Sequence, residues 1–427
     1  YEITTRLVGS EMCIRDSQIT LKGEVSTMRK LGLLPKLILG IVLGILVGMS
    51  GFEFLIRALG TFNNIFGNFL GFVIPLIIIG FVAAGIADLG KAAGKLLVVT
   101  VLIAYLSTIL AGSLAYFVDS TLFQKLHLEN AAEKIMMAEA NSRSLAPFFT
   151  VDMPPIMGVM TALLMAFTLG IGAAVIDGEI LKRAMKEFQA IVEKIIVNII
   201  IPLLPLHICG IFANMTFEGK TAAIMSVFVK VFIIIIALHF VILIFQYAIA
   251  GGIAGANPFR LLKTMMSAYL TAVGTQSSAA TIPVTLEQTK KNGVSDGVAD
   301  FVVPLCATIH LSGSTITLTS CSLALMTIYG MPHDFSLMFG FILMLGITMV
   351  AAPGVPGGAV MAALGLLGSM LGFSPELQSL MIALYLTQDS FGTACNVTGD
   401  GAIAIIVNRI AAVSYTHLRA HETRSNL

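Results

Sequence analysis

Six long apolar runs constrain this chain more than any other feature. They lie near residues 33–56, 64–87, 96–118, 154–177, 188–215 and 222–254. About 20 apolar residues cross the hydrocarbon core of a bilayer as a helix. Inside that core only structures that satisfy their own backbone polar groups persist. The composition agrees, with 57% hydrophobic and only 11% charged residues, where a soluble domain carries about 25% charged. The pattern predicts an all-α polytopic membrane protein embedded in a lipid bilayer. A net charge of +1 without a dense basic patch predicts no nucleic-acid partner. Cys209, Cys306, Cys321 and Cys395 sit in separate apolar segments. They show neither metal-site nor disulfide spacing and read as small packing residues.

The two ends are polar and patternless. Residues 1–17 and the tail from about Val413 look like translated adapter read-through, and Met28 reads as the true start. Residues 1–27 are therefore expected to be a non-native leader and 411–427 a non-native tail. His417 and His421 carry no functional weight on this reading, and no cleavable signal peptide is expected. The polar stretch Asp119 to Pro154 predicts an extramembrane loop with a short helix. Lys and Arg in the short loops fix the expected orientation. Arg29, Lys30, Lys36, Lys91, Lys95, Lys182, Arg183, Lys186, Arg260 and Lys263 all fall on one side if six spans alternate. That places the N-terminus in the cytoplasm.

The second half breaks the pattern. The apolar stretch from Pro258 to Thr285 is interrupted by Gly274-Thr275-Gln276-Ser277-Ser278 ahead of Pro283. A second stretch, Phe335 to Phe373, is interrupted by Pro353-Gly354-Val355-Pro356-Gly357-Gly358. Broken backbone at membrane depth is tolerated only inside protein or along a cavity. Each stretch is long enough to enter and turn back as a re-entrant hairpin. Each is followed by a long segment, 296–328 and 376–410. The half thus reads as hairpin–helix twice, an inverted repeat whose paired interruptions point to a transporter site. The predicted division is a six-helix N-terminal half over 28–254 and a transport core over 255–410.

The last segment carries Asp389, Thr393, Asn396 and Asp400, spaced 4, 3 and 4 and hence one stripe of a helix. Carboxylates inside a span are rare and functional by default. No Lys or Arg lies between these two, so bound cations or a substrate ammonium are their expected partners. In the preceding segment Ser312-Gly313-Ser314 loosens the helix and frees carbonyls, which suit a hard cation. His310 fits either a proton carrier or a neutral hydrogen-bonded residue beside an ion. At the first hairpin tip Ser277 and Ser278 offer hydroxyls and backbone N–H groups at a half-helix N-terminus, which suits a carboxylate.

On these residues the chain from about Met28 to Ile410 resembles the dicarboxylate/amino acid:cation symporters, the glutamate-transporter family. The motifs are Ser277-Ser278 through Pro283-Val284-Thr285, Ala307-Thr308-Ile309, Pro353-Gly354-Val355-Pro356-Gly357 and Asn396-Val397-Thr398-Gly399-Asp400. The resemblance implies eight spans with two re-entrant hairpins, a homotrimer, an elevator-like movement and residence in the cell inner membrane. It implies one sodium ion at Asp400 and Asn396 with backbone at Cys306 and His310, and another at Thr308 with the second hairpin. It implies that Asp389 binds the substrate ammonium. Gln276, Ser277, Ser278, Ser314, Val355, Gly357, Gly392, Thr393 and Asn396 would line the substrate. Members that take acidic substrates place an Arg where this chain has Gly392 or Gln276. Burying a carboxylate without a partner is strongly unfavourable, so the expected substrate is a small neutral amino acid resembling serine, threonine or alanine. His310-Leu311-Ser312-Gly313-Ser314 departs from the family's Asn-Met-Asp-Gly-Thr, which leaves fewer sodium ions, or a proton in place of one, both open. An acidic substrate on the same fold and an ion channel stay as alternatives. A hydrolase built on His310 and Ser312 does not fit, since side chains two apart on a helix face apart.

Overall fold

A computed structural model describes residues 33–89, 94–128, 131–135, 137, 145–176, 179–349, 352, 354 and 356–425. Every regular element in it is helical. The first six spans are α1 (Leu33–Ser50), α2 (Glu53–Ala87), α3 (Gly94–Lys125), α4 (Val159–Val175), α5 (Glu179–Phe217) and α6 (Thr221–Ala254). A first hairpin follows, made of α7 (Pro258–Thr264), α8 (Met266–Thr275) and α9 (Ser278–Lys291). Next come α10 (Asp296–Ile309) and α11 (Ser312–Ile328), two halves of one span. The second hairpin is α12 (Phe335–Met349) and α13 (Gly358–Leu371), and α14 (Pro375–Ser425) closes the chain. Among the described residues seven helices are long and apolar enough to cross a membrane, and with the shorter α4 and the two hairpins they fit the architecture that the resemblance implies. The repeat is unequal in one respect: its first long helix breaks at His310-Leu311, whereas α14 is unbroken.

Several boundaries differ from expectation. The first span ends at Gly51, whose φ of +66° stops a helix, and α2 begins at Glu53, eleven residues early. Asn63 and Asn64 are therefore helical. The basic stretch after the fourth span is the first half of α5, not a loop. It is amphipathic, burying Met185 and Val192 one heptad apart and pairing Arg183 with Glu187 at 3.1 Å. The expected loop at Asp119 starts only after Lys125, because α3 has no Gly or Pro after Gly112 to stop it. A helical stretch at 131–135 matches the short helix expected there. α14 runs past residue 410 to Ser425, since nothing after Gly401 breaks it. The leader lies outside the described residues.

α1 shows how sequence sets packing. Gly40, Gly44 and Gly48 recur every fourth residue and are its buried face. A methyl group added at Gly40 would stand 2.5 Å from the Pro205 carbonyl, and one at Gly44 would collide with that of Cys209. Small residues at this spacing let two membrane helices approach backbone to backbone. Gly44→Leu should cost about 1–3 kcal/mol through overpacking, read as a lower Tm in detergent.

The centre of the fold lies in its C-terminal half. In α14 89% of the span's most apolar window is buried and in the α10–α11 span 78%, against 22% for α1. α14 packs on α6, α8, α10 and α11, and α11 packs on α3. Two helices of the N-terminal half, α3 and α6, thus lie directly on the C-terminal core, so packing partners stand on both sides of residue 254. Lys290 at the base of the first hairpin bridges Asp300 (2.8 Å) and Asp296 (3.0 Å) at the start of α10. These two carboxylates, Asp300 foremost, hold its ammonium above the usual range.

Candidate functional site

The break between α10 and α11 organises the site. His310 is extended and Leu311 is non-helical, so the N–H groups of Gly313 and Ser314 cannot reach the carbonyls of Ile309 and His310. They turn instead to the Asn396 side chain on α14, whose Oδ1 accepts from Gly313 (2.8 Å) and Ser314 (3.3 Å). An amide from another helix thereby caps α11, and carbonyls at the break lose their i+4 donors. Asn396 Nδ2 also donates to Ser314 Oγ at 2.9 Å.

From Ser314 the network runs to Asp389. The Tyr385 hydroxyl donates to Ser314 Oγ at 2.9 Å, and the hydroxyls of Tyr385 and Thr393 also lie against the Asp389 carboxylate. Asp389 Oδ2 accepts the Gly357 N–H at 2.7 Å, which fastens α14 to the second hairpin where α13 begins. Gly357 has a φ of +76°. That left-handed turn aims its N–H at the carboxylate and strongly favours glycine. Gly392 packs on the start of α11, where an added methyl would stand 3.6 Å from Ser314 N.

The two hairpin tips meet. Ser277 Oγ donates to the Gly354 carbonyl at 2.8 Å and also caps α9 at Ala280 N. Gln276, at φ +54°, donates from Nε2 to Ser390 Oγ at 3.0 Å. Ser278 begins α9 and is buried. The structure therefore brings Gln276, Ser277, Ser278, Ser314, Gly357, Asp389, Gly392, Thr393 and Asn396 around the tips and the middle of α14. Val355 and Pro353 lie outside the described residues.

One turn beyond Asn396, Asp400 Oδ1 meets His310 Nδ1 at 2.9 Å. His310 Nε2 lies 3.1 Å from Ser107 Oγ on α3, and Gln246 Nε2 on α6 donates to Ser107 Oγ (2.9 Å) and Ser312 Oγ (3.3 Å). Cys306 contributes its carbonyl, which accepts the His310 N–H at 2.9 Å. Thr308 stands apart: its side chain is exposed and its hydroxyl returns to Leu305 O at 2.8 Å. Among the described residues neither Asp389 nor Asp400 is paired with Lys or Arg. The surroundings of Asp400 suit a hard monovalent cation, since the buried Gln246 Oε1 has no hydrogen-bond partner. Gln246 Oε1 is also close to α14, where a methyl added at Gly399 would stand 2.7 Å from it.

Some participants are hard to find in the sequence. Gln246 and His239 are polar residues inside an apolar run, and that is a usable signal. His239 lies 3.0 Å from the Gly313 carbonyl at the head of α11. Ser107 and Tyr385 carry no comparable signal, because hydroxyl residues are common in spans.

A sequence model described as the sodium:dicarboxylate symporter family matches residues 33–410. The "Serine/threonine transporter SstT" of Acinetobacter baumannii (strain AYE) is 28% identical over 386 residues, covering 87% of this chain and 95% of the relative. The "Proton/sodium-glutamate symport protein" of Bacillus caldotenax is 25% identical over 412 residues, covering 90% and 95%. The "Serine/threonine transporter SstT" of Streptococcus thermophilus (strain CNRZ 1066) is 24% identical over 392 residues, covering 89% and 96%. With its paired hairpins, its carboxylate stripe and a family match along nearly the whole described chain, this protein belongs to the sodium:dicarboxylate symporter family.

Proposed function

We propose that the chain is a sodium-coupled symporter of a small neutral amino acid of the serine, threonine or alanine kind. The observation that carries the reading is the one-sided charge of the site. Asp389 offers a buried carboxylate for an ammonium group at the meeting of both hairpins. Gln276 and Gly392 stand where a second, acidic carboxylate would need a cation. Relatives named as serine/threonine transporters support the same choice. Thr393, Ser278 and the Gly357 backbone line the substrate, and one sodium ion sits at Asp400 with Asn396 and the carbonyls of the broken helix. Asn396 lies between the two sites, one turn from each of Asp400 and Thr393, and holds Gly313 and Ser314 through its amide, which couples the two occupancies.

The moving unit is proposed to comprise both hairpins, α10–α11 and α14 together with α3 and α6, which pack directly on them. α1, α2, α4 and α5 form the static part of a homotrimer in the cell inner membrane, with the N-terminus cytoplasmic. Purified protein in proteoliposomes should accumulate labelled serine when sodium is supplied outside, and should not when choline replaces it. Excess glutamate should leave that uptake intact. Sodium-independent uptake, or competition by glutamate as strong as by alanine, would overturn the reading.

A further inference from the structure

A third buried carboxylate lies away from the substrate cluster. Asp119 stands twelve residues beyond Ser107 on α3, about 18 Å along the helix. It is fully buried, and neither of its carboxylate oxygens has a hydrogen-bond partner. Among the described residues no Lys, Arg or His is paired with it. The Ser320 hydroxyl of α11 lies against it without reaching hydrogen-bond geometry. The Gln388 amide is committed elsewhere, to Cys321 Sγ at 3.6 Å and Leu384 O at 3.3 Å.

The facing helix presents a matching surface. α3 and α11 run parallel and in step: Ser107 meets His310, and five residues further along each, Gly112 packs on Thr315, whose Cγ2 would lie 3.0 Å from a methyl added there. One turn beyond Thr315 come Thr319 and Ser320. The hydroxyls of Thr315, Thr319 and Ser320 are all buried and without partners. A mid-helix threonine ordinarily bonds back to the preceding turn, as Thr317 does to Gly313 O at 3.2 Å. These three do not. The result is a carboxylate and a run of hydroxyls with uncommitted oxygen lone pairs and no nitrogen donor among them. Oxygen sets of this kind suit hard cations, and a carboxylate inside a span demands compensation.

We propose that Asp119, with the Ser320 and Thr319 hydroxyls, is a sodium site at the α3–α11 interface, separate from the sites at Asp389 and Asp400. Its place in the transport cycle rests on the proposed symport, but binding at the site does not. Equilibrium binding of radioactive sodium to the purified full-length chain, without amino acid and with choline balancing ionic strength, reads it directly. Asp119→Asn should lower the sodium bound per chain by one. Ser320→Ala, which keeps the carboxylate, should raise the half-saturating sodium concentration at least about tenfold for one class of site. Equal sodium bound by the wild type and a folded Asp119→Asn protein would overturn the proposal. So would an unchanged binding curve for Ser320→Ala, or a difference between the proteins that appears only when pH is varied. Sodium binding that depends on Asp119 in a protein that transports no amino acid would support the site while removing the proposed function.

Discussion

Asp389→Asn should reduce serine uptake in proteoliposomes by about a hundredfold or more, with little change in the amount of folded protein. The carboxylate is buried and accepts the Gly357 N–H at 2.7 Å, so it both fastens the second hairpin and faces the proposed ammonium. Removing one partner of a buried charged pair costs about 2–5 kcal/mol. The amide keeps the shape and one acceptor oxygen but turns an NH2 group toward the ammonium of the substrate. Serine should therefore no longer raise the Tm of this variant in sodium, because only a bound ligand stabilises the folded state. Wild-type affinity for serine in Asp389→Asn would remove Asp389 from the site.

Asp400→Asn is expected to have the second largest effect, on the cation rather than the amino acid. Its carboxylate meets His310 Nδ1 at 2.9 Å, and both side chains are almost wholly buried. Losing a hydrogen bond to a charged carboxylate costs about 1.5–3 kcal/mol. The variant should lose sodium-driven uptake and most of the stabilisation that sodium gives the wild type. Some sodium binding should persist, because the Asp119 site is untouched. A sodium titration of Tm in choline-balanced buffer measures this, and an unchanged midpoint would exclude Asp400 as a sodium ligand.

Much of the fold and part of this site were legible in the sequence, for identifiable reasons. The hairpins announce themselves because Gly, Pro and clustered hydroxyl residues have no business in a lipid-facing helix. The stripe from Asp389 to Asp400 is legible because four polar side chains recur at helical spacing inside an otherwise apolar run. What was not legible depends on meetings between distant segments. Ser107 and Gln246 are separated by more than a hundred residues, yet they share a hydrogen bond of 2.9 Å behind His310. Thr308 sits next to the break in sequence, but helical geometry turns it outward. Asp119 reads as the start of a polar loop because Ser120 and later charges follow it. Phe123, one turn on and buried, keeps the helix going and brings the carboxylate inside. Chain order also hides the attachment of α3 and α6 to the core, since hydropathy does not say which span touches which.

The meeting of the hairpin tips has a consequence for how mutations would reveal them. Ser277 supplies a hydroxyl, whereas Gly354 supplies a main-chain carbonyl. No amino-acid exchange deletes a carbonyl. A survey of replacements along the second tip would therefore leave that acceptor in place at every position, and the clasp would be visible to genetics only from its Ser277 side.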